Sequence, residues 1–100
     1  MANSKIKIRG AAAVRMVSID GVVLNPTRSQ KVFNHSPDGF SWGYGGSGPA
    51  QLALAVMLHV NGGNKEAALS VYQEFKRQVV AALPMDKDFE IEVDPEKWKR

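Results

Sequence analysis

One stretch of eleven residues constrains the fold of this chain more than any other, because it is apolar on nearly every side. Residues 50–60 contain only two polar positions, Gln51 and His59. Pro49 comes directly before them, and proline is favourable at the first position of a helix. A helix that is apolar all round must be enclosed by other elements. The sequence therefore predicts a central, buried helix that begins at Pro49, with His59 as a hydrogen-bonded core histidine rather than a metal ligand.

A second helix is predicted directly after the first. Residues 61–64 read Asn-Gly-Gly-Asn, which supplies a C-terminal glycine and an N-capping asparagine, as expected between two antiparallel helices. Pro84 ends the second helix, which runs from about Lys65 to Leu83. This helix carries one apolar stripe at helical spacing, formed by Ala68, Tyr72, Phe75, Val79 and Ala82. The two helices form a helical hairpin.

Two segments near the ends of the chain alternate between apolar and charged residues, with the two-residue period of a β-strand. Residues 5–9 carry cations at the polar positions, and residues 88–94 carry anions. Opposite charges that face each other on paired strands are mildly stabilising, so these strands are predicted to be neighbours. The facing sets are Lys5, Lys7 and Arg9 on the first strand, and Asp88, Glu90 and Glu92 on the last.

The region between the first strand and the central helix contains a β-hairpin and a long loop. Residues 14–19 and 22–24 flank Asp20-Gly21, a pair that suits the positive φ angles of a tight turn. Residues 27–47 show no helical periodicity and hold several glycines, so they are predicted to form a structured loop. Loops of about 20 residues in compact domains are usually functional or disordered.

These elements predict one α+β domain over residues 1–100. A small antiparallel sheet of three or four strands is packed on one face by the helical hairpin. Asp94 and Pro95 are expected to cap and start a short final helical turn that lays Trp98 against the body. The chain has 100 residues, and a chain of this length holds a single core.

Charge and targeting signals restrict the compartment and the partners. Arg9 and Arg15 interrupt the early apolar stretch before it reaches the length of a signal-peptide core, and no apolar run approaches the roughly 20 residues of a spanning helix. A cytoplasmic protein without a membrane partner is expected. The net charge of +3 is small, and six of the charged residues lie on strands predicted to neutralise each other, so nucleic acid is a weakly supported partner.

The loop before the central helix carries a distinctive motif. It contains Asn34-His35-Ser36-Pro37 and then Gly39-Phe40-Ser41-Trp42-Gly43-Tyr44-Gly45-Gly46-Ser47-Gly48-Pro49-Ala50-Gln51. With the apolar helix that follows, it resembles the signature of an uncharacterised family of small proteins encoded by phages, prophages, plasmids and bacterial genomes. The resemblance extends to Tyr72, Phe75, Lys76, Val79 and Leu83-Pro84. It implies a mobile-element origin, with no assigned activity and no catalytic residue to transfer.

Two interpretations of the glycine-rich loop remain open. Backbone N–H groups ahead of a helix N-terminus can cradle an anion, although the loop lacks the lysine of a P-loop. Alternatively, the glycines allow tight packing under the aromatic residues while Ser47 or Ser41 caps the helix. The candidate ligand-binding residues are Trp42, Tyr44, Gly45, Gly46, Ser47, Gly48, His35, Arg28 and Lys31.

Catalytic chemistry has less support. His35, Ser36, Asp38 and Ser41 include a nucleophile, a base and an orienting acid, but residues 36–39 also have the composition of a β-turn. The aromatic residues of the loop could stack nucleic-acid bases, yet few cations lie near them. The chain has no cysteine, which excludes disulfides, thiolate metal sites and thiol nucleophiles. No catalytic residue, metal or cofactor is therefore assigned.

Two functions from different classes are carried forward. The first is a non-catalytic accessory protein of a phage or other mobile element that binds a host or phage macromolecule, with antagonism of host defence as one form of that role. The alternative is a small nucleotide- or phosphate-binding protein that uses the glycine-rich loop together with Arg28 or Lys31. The expected partner is thus a protein or a small anionic ligand, and the oligomeric state stays open.

Overall fold

The computed structural model describes residues 5–100 and confirms the α+β class. Four strands form one antiparallel sheet in the order β3-β2-β1-β4: β1 Ile6–Ala11, β2 Met16–Ile19, β3 Val22–Val23 and β4 Phe89–Val93. The helices are α1 Pro26–Val32, α2 Ser47–Val60, α3 Lys65–Phe75 and α4 Pro95–Trp98, and α3 continues directly into a π-helical turn, Lys76–Val80. None of the helices in residues 5–100 has the length and apolar character needed to cross a membrane.

The two alternating strands pair with each other, as their charges predict. Lys7 lies opposite Glu92 and Arg9 lies opposite Glu90. Arg9 Nε is 2.9 Å from a Glu90 carboxylate oxygen, and Lys7 Nζ is 3.6 Å from the other oxygen. Because these side chains are largely exposed, each ion pair contributes at most about 1 kcal/mol. Their main effect is to neutralise charge on the outer face of the sheet.

The predicted hairpin turn is also confirmed. Asp20 and Gly21 have φ angles of 51° and 83°, the left-handed values that a tight two-residue turn requires. The Asp20 carboxylate also accepts a hydrogen bond from the Lys7 backbone N–H at 2.9 Å. The turn therefore connects β2 to β3 and contacts β1 as well.

The prediction that residues 27–47 form only loop is wrong at its start, where α1 lies. Asn25 caps this helix by accepting a hydrogen bond from the Thr27 N–H at 2.9 Å, and Pro26 stands at its first position. Both start signals are present in the sequence. With seven residues and only Ser29 buried, α1 is too short and too polar to show a periodic apolar pattern.

The central helix is enclosed as predicted, but its boundaries and one residue differ. Helix α2 begins at Ser47, so Pro49 is its third residue, and every residue from Gly48 to Leu58 is buried. The N-cap is Gly46, which provides no side-chain hydrogen bond, so neither Ser47 nor Ser41 caps the helix. His59 is exposed rather than in the core, because it lies in the last turn, beyond the fully covered part of α2.

The second helix follows its predicted stripe only to Phe75. In the π turn the Ala81 N–H donates to the Lys76 carbonyl oxygen at 2.8 Å, five residues back rather than four. This extra residue rotates the following side chains, so Val80 is buried, Val79 is half-buried and Ala82 is exposed. The sequence shows no sign of this insertion, since Val79 and Val80 are both apolar.

The core lies between α2 and the inner face of the sheet. Ile8 of β1 and Phe89 of β4 line one small void together with Leu52 and Val56 of α2. The Phe89 ring also covers Gly10, where it fills the space that a Cβ atom would need. Gly10 is therefore required by the close packing of the neighbouring strand.

The short helix α4 lays Trp98 against the core, as predicted. Asp94 caps it by accepting a hydrogen bond from the Glu96 N–H at 3.0 Å, and Pro95 is its first residue. Trp98 is buried and meets the Phe75 ring edge-on, with the ring centres 5.0 Å apart.

Candidate functional site

The segment before α2 is held to the protein by the side chain of Gln51, which is fully buried. Its Oε1 accepts from the backbone N–H groups of His35 at 2.7 Å and Ser36 at 2.9 Å. Its Nε2 donates to Ser29 Oγ at 2.9 Å and to the Phe33 carbonyl oxygen at 3.1 Å. Both donor hydrogens and the acceptor oxygen are satisfied, so the buried amide replaces a missing backbone partner for the loop.

His35 lies beside α3 rather than in the glycine-rich loop. Its Nε2 is 2.8 Å from the Tyr72 hydroxyl, and its ring stacks on that of Phe33 with centres 4.3 Å apart. Burial and, to a smaller extent, the positive charge of Lys76 lower the pKa of His35 below its ordinary value of 6.5. The neutral ring is therefore favoured, in a position to bond Tyr72.

Trp42 anchors the second half of the loop from inside the core. It is fully buried, and its Nε1 donates to the Lys87 carbonyl oxygen at 2.9 Å. Phe89 meets its ring edge-on at 4.9 Å, and the Arg15 guanidinium lies 5.6 Å from the ring centre. The Trp42 ring is thus enclosed by the protein and presents no open face on which a ligand could stack.

The glycines after Trp42 let the loop pack closely. Gly43 has a φ of 89°, and a Cβ atom there would lie 2.5 Å from the Met85 α-carbon. Its N–H donates to the Val80 carbonyl oxygen at 3.0 Å, which connects the loop to the π turn. At Gly46 a Cβ atom would lie 2.5 Å from the Tyr44 ring, which folds back over the loop while staying partly exposed. Close packing therefore accounts for both glycines.

An open cleft of about 530 Å³ lies at the N-terminus of α2, and we call it the α2 cleft. Its polar lining comprises Arg15, Ser36, Asp38, Ser41, Tyr44 and Ser47. The first N–H groups of a helix have no partner within the helix, and α2 has neither a capping side chain nor an acidic residue in its first turn. The partial positive charge of this helix end is thus left for another group to compensate.

Arg15 provides the cation of the α2 cleft, and no pattern in the sequence indicated this role. Its guanidinium donates to Ser41 Oγ at 3.3 Å and to the Asp86 carboxylate at 2.6 Å. Its backbone is left-handed, with a φ of 52°. Residue 15 follows β1 and residue 41 precedes α2, so only the folded chain brings them together. Asp86 compensates part of the positive charge.

Of the two cations that the sequence analysis paired with the glycine-rich loop, Arg28 lies elsewhere. Arg28 is on α1, where it lines a separate cavity of about 180 Å³ with Leu58 and His59, and its guanidinium reaches Gly63. Leu58 and His59 belong to the C-terminal end of α2, about 17 Å along the helix axis from Ser47. Lys31 is exposed in the last turn of α1. The structure therefore does not bring Arg28 to the glycine-rich loop.

The residues considered for acyl transfer also have separate partners. The His35 ring bonds Tyr72, and the Ser41 hydroxyl accepts from Arg15. Ser36 is held through its backbone N–H by Gln51, and Asp38 lines the α2 cleft. Within residues 5–100 no three His, Asp or Glu side chains come close enough together to hold a metal ion.

Comparison with known proteins gives a family but no activity. A model of a family of unknown function (DUF6166) matches residues 7–98. This range includes every helix, the glycine-rich loop and all four strands except Ile6 at the start of β1. No curated protein and no solved structure matches the chain.

Gln51→Leu is expected to destabilise the protein by about 3 kcal/mol. The apolar side chain leaves the N–H groups of His35 and Ser36 without their acceptor, and each buried unpaired group costs about 1–3 kcal/mol. Urea unfolding measures the difference. Gln73→Leu is the control: it removes one bond, to Tyr72, from a half-buried position and should cost less than about 1 kcal/mol. Equal stability of the two variants would contradict the role of Gln51.

The lowered pKa of His35 predicts that stability falls as the pH drops below 6.5. Over that range the unfolded chain binds a proton that the folded protein takes up only at lower pH, so acid favours unfolding. The contribution is fully present above pH 6.5 and is lost as the pH falls through the folded pKa. Urea unfolding between pH 7.5 and 5.5 should show a loss that disappears in His35→Gln and persists in His59→Gln. A loss that persists in both variants would show that His35 is not its source.

Proposed function

The chain belongs to the family of unknown function DUF6166, and on that premise we propose that it is a non-catalytic accessory protein of a phage or other mobile element. It acts by binding a host or phage macromolecule, and antagonism of host defence is one form of that action. The proposal is supported by one observation above all. The outer face of the sheet, opposite the helices, carries exposed apolar side chains that no other part of residues 5–100 covers.

The uncovered side chains lie on the hairpin. Met16 of β2 and Val23 of β3 share the outer face with Ser18, because Val23 pairs with Ser18 and Met16 lies two residues before it. Met16 is 48% exposed and Val23 is 58% exposed. A groove of about 520 Å³ runs beside Met16 and Ser18 toward Arg9 and Glu90. We call Met16 and Val23 the outer-face patch.

The charges beside the outer-face patch favour a protein partner over nucleic acid. Arg9 and Lys7, the two β1 cations on this face, both contact Glu90. A surface that binds nucleic acid neutralises phosphates with Lys and Arg, and here a carboxylate already occupies them. Apolar surface with a polar rim is typical of protein interfaces. The combination therefore supports recognition of a protein.

The double variant Met16→Lys with Val23→Lys is expected to lose its partner without losing its fold. Pull-down from a bacterial host lysate, with the full chain as bait, should capture the partner with the native protein and at least about tenfold less with the variant. Tenfold corresponds to about 1.4 kcal/mol of binding energy. The matched control is Met85→Lys with Leu69→Lys, two other exposed apolar positions. Equal capture by both double variants would contradict the proposal, as would the absence of any captured partner.

The α2 cleft supports a second candidate function, the binding of a nucleotide or another phosphate ligand. The specific observation is that the Arg15 guanidinium lies in the same cleft as the uncapped N-terminus of a fourteen-residue helix. Backbone N–H groups and the helix dipole favour an anion at such a position. The ligand would share Arg15 with Asp86 and would lie in a cleft that Asp38 also lines. In this candidate function the cation that contacts the phosphate is Arg15, whereas the sequence analysis proposed Arg28 or Lys31 for that role.

Titration with ATP tests this second candidate. The amide signals of Gly45 to Gly48 should shift in NMR spectra, and the melting temperature should rise. At a ligand concentration about ten times Kd, binding raises the free energy of unfolding by about 1.4 kcal/mol. Arg15→Gln should weaken binding, whereas Arg28→Gln should leave it unchanged, because Arg28 lies at the other end of α2. If millimolar ATP shifts none of these amides, the loop has a packing role only.

A further inference from the structure

A second groove, of about 440 Å³, runs along the outer edge of β4 and is separate from the outer-face patch. We call it the β4 groove. One wall is Ile91 of β4, and the facing wall comes from Val79 of the π turn and from Ala82, two residues after that turn. Trp98 of α4 contributes a further apolar surface. The π turn helps to shape this groove, because it turns Val80 into the core and leaves Val79 half-exposed on the groove wall.

The edge of β4 offers backbone hydrogen bonds as well as an apolar wall. The Asp20 N–H donates to the Lys7 carbonyl oxygen at 2.8 Å, so the polar backbone groups of Lys7 point toward the β2 side of β1. Because these directions alternate along a strand, Ile8 bonds β4 through its partner Ile91. The N–H and C=O groups of Glu90 and Glu92 therefore point outward, to the edge where no strand of residues 5–100 pairs. Such an edge is a template for strand addition.

The side chains on this edge define the charge of the strand that fits it. Glu90 and Glu92 stand on the outer face, and Ile91 between them stands on the groove side. On its other edge β4 already pairs with a strand of this complementary kind: Lys7 lies opposite Glu92 and Arg9 opposite Glu90. Among residues 5–100 Glu92 forms no ion pair within 4 Å, so its carboxylate is available for a further cation.

A second copy of the same chain fits this edge poorly. In an antiparallel pairing of two β4 strands centred on Ile91, Glu90 of one copy would stand opposite Glu92 of the other. Like charges directly opposite each other on paired strands are destabilising. The cationic strand β1 of another copy is also occupied, because β2 and β4 pair with both its edges.

We infer that the β4 groove is a docking site for an extended segment of a partner protein, which adds to the sheet as a fifth, antiparallel strand. That segment carries Lys or Arg opposite Glu90 and Glu92, and an apolar residue opposite Ile91 that enters the groove beside Val79. The inference rests on the proposed function only in taking the partner to be a protein, and it uses a different surface from the outer-face patch.

Binding of a synthetic peptide to the full chain tests the inference. The probe is a fluorescent peptide that contains Lys-Ile-Lys-Ile-Arg, the pattern of β1, and the comparison peptide contains Glu-Ile-Glu-Ile-Glu. Fluorescence anisotropy should detect the cationic peptide only. Amide hydrogen exchange should then slow at Glu90 and Glu92, whose N–H groups become bonded. No binding at millimolar peptide, equal binding of both peptides, or slowed exchange confined to other strands would overturn the inference.

Two variants of Glu92 test separately the contributions of its backbone hydrogen bond and of its side-chain charge to peptide binding. Glu92→Pro removes an outward N–H without removing a bond to β1, and proline is tolerated at such edge positions. Glu92→Lys keeps the backbone, and remains informative if the proline variant does not fold. Each should weaken peptide binding about tenfold or more. Glu66→Lys, the same charge change at an exposed position in the first turn of α3, should change it less than about twofold. Unchanged binding by folded Glu92 variants would overturn the inference.

Two further results separate this inference from the proposed function and from self-association. If the native chain captures a partner from lysate and Glu92→Pro captures it equally well, the proposed function stands and the β4 inference fails. If the Glu90 and Glu92 amides are already protected without peptide, and lose that protection on dilution, a second copy occupies the edge and the inference fails as well.

Discussion

The enclosure of α2 accounts for more of this architecture than any other interaction. A fourteen-residue helix with almost no polar surface must be covered on all sides, and in a chain of 100 residues few elements are available for that. The sheet covers one side and α3 with the π turn another, while α1 and α4 make smaller contacts. The segment before α2 completes the enclosure. It buries backbone N–H groups in doing so, and Gln51 compensates for them from within the helix.

The enclosure of α2 also explains the composition of the glycine-rich loop. The loop must connect Trp42, which is in the core, to Ser47, where α2 starts, within a few residues. Gly43 provides a left-handed backbone against Met85, and Gly46 leaves room for the Tyr44 ring. Packing thus accounts for part of the motif. The uncapped N-terminus of α2 beside Arg15 is not explained by packing, and it is the feature that keeps an anionic ligand among the proposed functions.

The helices occupy one face of the sheet, so the two surfaces proposed for binding lie on the opposite face and at the edge of β4. The outer face and the edge of β4 are left uncovered by residues 5–100, and both carry apolar side chains beside paired or unpaired charges. The alternation of charged and apolar residues in the sequence predicted that β1 carries cations and β4 carries anions. That Glu90 bonds both Lys7 and Arg9 while Glu92 forms no ion pair depends on side-chain geometry, which alternation alone does not specify.

The sequence was enough to predict the elements whose signals are local: the buried helix α2, the Asp20-Gly21 turn, the two charged strands and the Asp94 cap. The Asn64 cap belongs with them, since its side chain accepts from the Ala67 N–H at 3.1 Å. The sequence also predicted that the strands with residues 7 and 92 pair, since their charges are complementary. The tertiary structure alone decided the π turn, the exposure of His59, and the placing of Arg15 rather than Arg28 at the α2 cleft. The two groups of features differ in the sequence separation of the residues that interact. Caps, turns and periodicity act between residues a few positions apart, whereas the neighbours of Arg15, Gln51 and Val80 lie far along the chain and meet only when the core closes.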